Sequence, residues 1–327
     1  MARATAVEHA KDARGAKTCA ASGRNGHPTR QVRPGDPVSG AVLAAFEEGA
    51  YWLGVNLPRA RDGDPEGVHH LRTTSRRLRT ALDLCDGLAD PDWAESLSGE
   101  LKWLAGLLGA VRDLDVIAAR FRASAEEVGE GLPETIAPLF WQFDRRHAEA
   151  ASELGEALRG PRFGRLEASL IAAASSVPFL DDAREPCREA LPRLVLGMWK
   201  KLRDEGRDLG PDSPPEAFHG VRKRAKHARY AAEAAAPALD PDSAEAAERF
   251  ARRARAVQDV LGAHQDASVA SLELRKAAAA YPTLGDFNFA VGRLVEREER
   301  AAAAGRERFF EVWPRLDRRK LLRWLKP

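Results

Sequence analysis

A fifteen-residue segment that occurs twice, 150 residues apart, constrains the fold more than any other feature of the chain. Residues 68–82 read VHHLRTTSRRLRTAL and residues 218–232 read FHGVRKRAKHARYAA. In both copies a histidine is followed by cations three, seven and ten residues later. With about 3.6 residues per turn these positions form one row along a helix, beside an apolar stripe that can face a core. The aligned pairs are His69 with His219, Arg72 with Arg222, Arg76 with Lys226 and Arg79 with Arg229.

Both segments are strongly basic, although the whole chain has a formal net charge of only +2. Four Lys or Arg residues and no acid lie between His69 and Arg79, and five lie between His219 and Arg229. Like charges three or four residues apart on a helix repel one another by a few tenths of a kcal/mol. A solvated charged face explains one such run, but it gives no reason for the same spacing to occur twice. We infer a site for a polyanion.

Composition and periodicity predict an all-α protein. The chain has 327 residues, enough for one large or two medium domains with a proper core. Long stretches such as 138–158 and 244–280 have helical periodicity, and no alternating run bounded by turn residues indicates a strand. The three cysteines, Cys19, Cys85 and Cys187, are widely spaced and form no C-x-x-C pair, so we predict neither a disulfide framework nor a zinc site. A reducing, cytoplasmic compartment fits this usage.

Residues 1–37 are rich in Gly, Ala, Ser, Arg and Pro and lack the apolar core of a signal peptide, so we predict a disordered basic tail. Its basic residues could add weak affinity for an anion, although a plain flexible tail is the simpler interpretation. No segment approaches the about 20 apolar residues that a membrane span needs, so we predict no membrane contact.

A second motif repeats at a similar offset, after the basic helix in each half. Residues 108–113 read LGAVRD and residues 261–266 read LGAHQD, and Lys102 aligns with Arg255. The glycines at the second position predict close helix packing or a kink, since glycine costs about 1 kcal/mol inside a helix. Asp113 and Asp266 are interpreted as partners that orient the arginines, with metal binding or acid–base chemistry as the alternative. Lys102 and Arg255 point either to solvent or into the shared basic site.

Both halves therefore carry the same elements in the same order, with about four helices each. We predict two four-helix bundles related by a pseudo-two-fold axis, the first repeat covering about residues 38–180 and the second about 183–325.

These motifs together resemble the CHAD family, the conserved histidine α-helical domain, over roughly residues 38–325. The resemblance implies a helical domain with a central basic cavity that binds inorganic polyphosphate, and an association of some members with polyphosphate granules. It is carried by the segments GDPEGVHHLRTTSRRLRTAL, LGAVRDLDV, FHGVRKRAKHARYAAE and VQDVLGAHQDA.

The resemblance also implies which residues bind polyphosphate. For the two histidines, a helix-end role with a bond to a backbone carbonyl remains an equal alternative. No metal, cofactor or catalytic residue is expected. The implied binding residues are His69, Arg72, Arg76, Arg79, Lys102, His219, Arg222, Lys226, Arg229 and Arg255.

Two other classes of function remain open. A nucleic-acid-binding module would also present cations to phosphates, but it usually adds aromatic stacking platforms, and only Tyr230 lies within a basic row. A metal-dependent phosphohydrolase would need a carboxylate cluster with ligand spacing, which Asp113, Asp115 and Asp266 do not show. We rank polyphosphate binding without catalysis first, nucleic-acid binding second and phosphohydrolysis third. Polyphosphate granule proteins are possible further partners.

Overall fold

The computed structural model describes residues 30–129 and 132–326, and within those residues the chain forms helices and no strand. Two isolated β-bridges, Pro37 with Pro186 and Ala89 with Phe179, tie loops together. The all-α prediction is confirmed. The α-helices are α1 (Val38–Arg61), α2 (Pro65–Asp83), α3 (Pro91–Val128), α4 (Leu132–Thr135), α5 (Ala137–Arg159), α6 (Pro161–Ser175), α7 (Cys187–Arg207), α8 (Pro215–Ala235), α9 (Pro241–Ala280) and α10 (Gly285–Leu316), with short 3-10 turns at Asp181–Arg184, Ala236–Ala238 and Arg319–Leu325.

Asp-Pro pairs set the start of three helices that carry or support the basic rows. The side chains of Asp64, Asp90 and Asp240 each accept a hydrogen bond from a backbone N–H in the first turn of α2, α3 and α9, respectively. The proline that follows each aspartate has no N–H to leave unpaired at the first helical position. The long helices α3 and α9 therefore begin in the same way, directly after the helix that carries a basic row.

One hydrophobic core extends through both halves of the chain. Leu71, Leu78 and Leu82 of α2 are buried, as the apolar stripe beside the first basic row predicts, and Phe218 and Val221 of α8 are buried in the second copy. Helix α2 also packs directly on α8. The two repeats share one core, and the pseudo-two-fold relation between them stays a prediction.

A second core lies beyond the first, where the C-terminal halves of α3 and α9 meet α4, α5 and α10. Phe121 and Phe143 from the first half pack there with Leu274, Phe287 and Leu294 from the second. The long helices thus carry apolar surface past the basic helices into a second region that both halves build.

The first half differs from the prediction of about four helices. Gly160 and Pro161 end α5 and begin α6, an additional helix of 15 residues. Its buried residues, including Phe163 and Leu170, pack in the main core. Proline at a first helical position starts a helix readily, which explains why the breaker did not end the helical region.

The tail predicted for residues 1–37 lies mostly outside the described residues. Its last part is bonded to the second half: Val38 N donates to Glu185 O at 2.8 Å, and Cys187 N and Arg188 N donate to Asp36 O and Pro34 O. These bonds tie Pro34 and Asp36 to the second half, and the boundary of the tail at residue 37 stays a prediction.

Cys85 and Cys187 are buried free thiols, and Cys19 lies outside the described residues. Burial raises the pKa of the Cys85 thiol to about 12 and that of Cys187 to about 11. Both thiols are packing residues without nucleophilic character near neutral pH.

Candidate anion-binding site

The two basic rows face each other where α2 packs on α8. The Arg76 guanidinium of α2 lies over the ring of Tyr230 on α8, 5.1 Å from its centroid. The charges of Arg72, Arg76 and Arg79 all act on the ammonium group of Lys226 in α8. The structure thus brings the predicted rows together. We call the following six residues the basic cluster: Arg72, Arg76, Arg79, Arg222, Lys226 and Arg229.

The cations of the basic cluster lie close together, where burial and mutual repulsion disfavour their charged forms. Burial, and then the charges of Arg76 and Arg222, lower the pKa of Lys226 to about 8. Burial also lowers the pKa of Arg76, with Arg229 and Arg72 acting in the same direction and Tyr230 opposing them. An anion bound here would relieve both the repulsion and the loss of hydration.

Several donors of the basic cluster are buried and unpaired. Among the described residues, the Nε atoms of Arg76, Arg222 and Arg229 have no hydrogen-bond partner. Arg229 is only 8% exposed, and its Nε lies 3.3 Å from Glu233 Oε1 without hydrogen-bond geometry. Buried donors are nearly always paired in proteins, and leaving one unpaired costs about 1–3 kcal/mol. Oxygen atoms of a bound anion would supply the missing acceptors.

Two aspartates accompany the arginines, one in each half. Asp113 Oδ1 of α3 accepts a hydrogen bond from Arg72 at 3.0 Å, which confirms its interpretation as a partner that orients an arginine. Asp266 of α9 is surrounded by charges of Arg222, Arg120, Asp113 and Arg72. Burial raises the pKa of Asp266, Asp113 adds to this effect, and the three arginines oppose it. Both carboxylates therefore belong to the electrostatic environment of the cluster.

Each predicted histidine lies at the start of its row, in surroundings that favour the uncharged form of its ring. Burial, then the charge of Arg112, lowers the pKa of His69. Burial, then Lys223 and Arg222, lowers the pKa of His219, while a hydrogen bond with Gln265 acts in the opposite direction. In the described part of the chain His219 Nδ1 is buried without a partner, so no backbone carbonyl accounts for that nitrogen.

Among the described residues, no contact joins Lys102 or Arg255 to the basic cluster. Both side chains are exposed, and Arg255 Nε lies 3.7 Å from Asp259 Oδ2 on its own helix. Each precedes an aspartate of the site by eleven residues, or about 16 Å along the helix axis. Their role in binding stays a prediction.

The repeated glycines lie under side chains of the site. A Cβ atom at Gly262 would be 3.5 Å from Arg222 Nε, and one at Gly109 would be 3.8 Å from Asp113 Oδ2. Both distances are ordinary contacts, so close helix packing does not require glycine at either position. The interpretation as packing glycines is therefore not supported, and the space they leave lies beside an arginine and an aspartate of the site.

Sequence reasoning missed two arginines of the site, Arg112 and Arg120 of α3. The charge of Arg112 contributes to the lowered pKa of His69. The charge of Arg120 opposes the rise in the pKa of Asp266 that burial causes. Arg120 follows Asp113 by seven residues, and positions two turns apart share a helix face. That spacing was a usable signal, but Arg120 itself lies outside the repeated motif that ends at Asp113.

A separate cavity of 540 Å³ opens between the α2–α3 turn and helices α7 and α8. His227 Nδ1 and Asp83 Oδ2 lie 3.5 Å apart in its wall. Its lining contains no member of the basic cluster. A closed central cavity around the cluster, which the resemblance implies, stays a prediction.

Within residues 30–129 and 132–326, no group of three or more His, Cys, Asp or Glu side chains is arranged to hold a metal ion. In the same part of the chain no helix has both the length and the apolar character needed to cross a membrane.

Comparison with known proteins identifies relatives for most of the chain. The CHAD domain family model matches residues 44–275. Uncharacterized proteins Rv2226 and MT2285 of Mycobacterium tuberculosis strains H37Rv and CDC 1551 are each 29% identical over 303 residues, which is 89% of this chain and 55% of theirs. The chain thus spans about half the length of the curated relatives it matches.

Two solved structures share the fold. PptA from Streptomyces chartreusis superposes with a TM-score of 0.72 at 23% identity, covering 85% of this chain and 99% of PptA. The CHAD domain from the plant Ricinus communis superposes with a TM-score of 0.65 at 24% identity, covering 85% and 94%. At these identities the likeness establishes the fold alone.

Proposed function

Because the chain belongs to the CHAD domain family, whose model matches residues 44–275, we propose that it binds inorganic polyphosphate through the basic cluster and does so without catalysis. The family is known in general for polyphosphate binding. The residues proposed to bind are the basic cluster with His69 and His219, and Lys102 and Arg255 as outer contacts.

One observation carries the proposal more than any other: three arginine Nε atoms on α2 and α8 are buried without a hydrogen-bond partner among the described residues. Arg76 comes from the first half, and Arg222 and Arg229 come from the second. A polyphosphate chain presents oxygen acceptors at closely spaced points, and guanidinium groups bind such oxygens through charge-assisted hydrogen bonds. Each half alone would supply only part of this donor set.

Tyr230 gives a reason to prefer polyphosphate over nucleic acid. Both Arg76 and Arg229 lie over its ring, 5.1 and 4.2 Å from the centroid. The aromatic face that a nucleobase would need is thus already in contact with guanidinium groups. A polymer of phosphates needs no such face.

Partners and location of the protein belong to the same proposal. Binding to polyphosphate would place the protein on polyphosphate granules in the cytoplasm, beside granule proteins. This chain matches 55% of the length of the Mycobacterium tuberculosis relatives. The proposal therefore concerns the matched domain and not the activity of the longer proteins.

The test of the proposal is a comparison of ligands. Titration of the protein with long-chain polyphosphate, single-stranded RNA and duplex DNA, at matched phosphate concentration and salt, should rank polyphosphate first. Incubation with polyphosphate and Mg²⁺ or Mn²⁺ should release no phosphate above background. Tighter binding of RNA or DNA would reject the proposal, and phosphate release that Asp113→Ala or Asp266→Ala abolishes in a folded protein would favour an enzyme.

Binding should weaken as pH rises above 8. The pKa of Lys226 is about 8 in the free protein, and a bound polyanion would stabilise the charged form and raise it. Affinity is then fully present below pH 8 and is lost above it, by about tenfold at pH 9 if only the charged lysine binds. The measurement is a polyphosphate titration from pH 7 to 9.

Lys226→Arg is the matched variant for this pH series, because arginine stays charged over the whole range. Its affinity should change little between pH 7 and 9. A wild-type affinity that is also flat would show that Lys226 does not contact the ligand as an ammonium group.

A further inference from the structure

Two arginines, one from each half of the chain, contact the ring of Tyr230. Arg229 lies over its ring at 4.2 Å from the centroid, and Arg76 lies over it at 5.1 Å. Building on the proposed function, we propose that Tyr230 is a positioning residue that holds Arg76 and Arg229 together at one phosphate-binding position. The neighbouring lysine and arginines then extend the contact along the polymer.

The two arginines need such support because their charges repel each other. The charge of Arg229 lowers the pKa of Arg76. Neither Nε atom has a hydrogen-bond partner among the described residues; Arg229 Nε lies 3.3 Å from Glu233 Oε1 on its own helix, and Tyr230 is the contact that Arg76 and Arg229 share. The face of an aromatic ring attracts a guanidinium electrostatically and fixes its plane without neutralising its charge.

A contact through the guanidinium face would leave the donors of both arginines available. A guanidinium contacts an aromatic ring through its face, whereas its N–H groups lie in its plane and point outward from the edge. The edge can therefore bind phosphate oxygens while the face stays on the ring. An acidic partner such as Glu233, which lies 3.3 Å from Arg229 Nε, also holds a guanidinium, but it competes with the anion for the donors that it faces.

Position in the fold makes this contact a link between the halves. Tyr230 and Arg229 belong to α8, and Arg76 belongs to α2, which packs on it. Arg229 is 8% exposed, so its side chain has little freedom to reach a ligand elsewhere. Fixing Arg76 beside it places one donor from each half at the same point before the ligand arrives, which lowers the entropy cost of binding.

Substitution of the ring tests this role. In titrations of the full chain with long-chain polyphosphate at fixed salt, Tyr230→Phe should bind within about twofold of wild type, because it keeps the ring face. Tyr230→Leu should bind about fivefold to tenfold more weakly, the range expected for loss of cation–π contacts. Circular dichroism and thermal unfolding check that both variants are folded.

A double-mutant cycle separates positioning from a general packing effect. If Tyr230 acts through the arginines, the weakening caused by Tyr230→Leu should largely disappear in an Arg76→Gln, Arg229→Gln background. An equal loss in both backgrounds, or a loss for Tyr230→Phe as large as that for Tyr230→Leu, would overturn the proposal.

The same cycle measured by urea unfolding needs no ligand and keeps the two proposals distinct. A wild-type protein that binds no polyphosphate would refute the proposed function, and coupling between Tyr230 and the arginines in unfolding would then still report whether the ring holds them. Absence of that coupling would refute the positioning role even in a protein that binds polyphosphate.

Discussion

Replacing Arg72 and Arg222 together by glutamate is expected to weaken polyphosphate binding by at least about 100-fold. Each charge-assisted hydrogen bond contributes about 1.5–3 kcal/mol, and about 1.4 kcal/mol is a factor of ten in affinity. Each single reversal should therefore cost about tenfold or more. The residues belong to different helices and different halves, and the charges of both lower the pKa of the Asp266 carboxyl group against the effect of burial. If one ligand spans both rows, the two losses should combine.

The measurement is a calorimetric or fluorescence titration at several salt concentrations, with circular dichroism to confirm helicity. Affinity of the wild type should fall steeply with added salt, as it does for proteins that neutralise nucleic-acid phosphates, and the double variant should show a shallower dependence. Arg184→Glu is the control, because that side chain is 85% exposed in a short turn outside the basic rows. A result in which only one row matters, or in which Arg184→Glu costs as much, would contradict the shared site.

The fold class and the buried face of each basic helix could be predicted because both depend on local periodicity. The His-x-x-Arg spacing predicts which residues share a helix face, and the leucines beside it predict which face is buried. Leu71 and Leu78 are buried, and Arg76 meets Tyr230 of the second copy. Two equivalent amphipathic helices that each need a covering layer have few ways to pack, which is why the repeat was informative.

Other features depend on contacts between residues far apart in the chain and leave no local pattern. The helix α6 was missed because Gly160-Pro161 has the composition of a terminator, although proline equally begins a helix. The pairing of Tyr230 with two arginines requires the relative position of α2 and α8. The exposure of Lys102 could not be predicted either. Helical spacing places Lys102 on the same face of α3 as Asp113, but it does not show how far along that face the site extends.

A buried ionic network in the second half of α3 is the least predictable of these features. Glu298 of α10 is completely buried. Its carboxylate accepts hydrogen bonds from Arg120 Nε at 2.7 Å, from Ser124 Oγ at 3.1 Å and from Arg297 Nη1 at 2.9 Å. Arg120 and Ser124 belong to the first half and Glu298 to the second. Because Arg120 also acts on Asp266, this network connects the second core to the anion site.

Glu298→Gln is expected to lower the free energy of unfolding by about 3 kcal/mol, because removing one partner of a buried ion pair leaves the charge of Arg120 uncompensated, whereas Arg297 keeps its second partner Glu127. The amide keeps the shape of the side chain, so loss of volume does not explain the effect. Arg120 and Arg297 keep side-chain exposures of 26% and 31%, which places the expected loss at the lower end of the usual range. Urea unfolding followed by circular dichroism measures it.

The adjacent residue provides a matched control for this prediction. Glu299 pairs with Arg275 at 2.5 Å, but both side chains are more than half exposed. Exposed pairs contribute about 0–1 kcal/mol, so Glu299→Gln should cost less than about 1 kcal/mol. Equal losses for Glu298→Gln and Glu299→Gln would show that the buried network does not stabilise the contact between α3 and α10. A loss confined to Glu298→Gln, with a several-fold weaker polyphosphate affinity, would show that the second core also orients Arg120 toward the anion site.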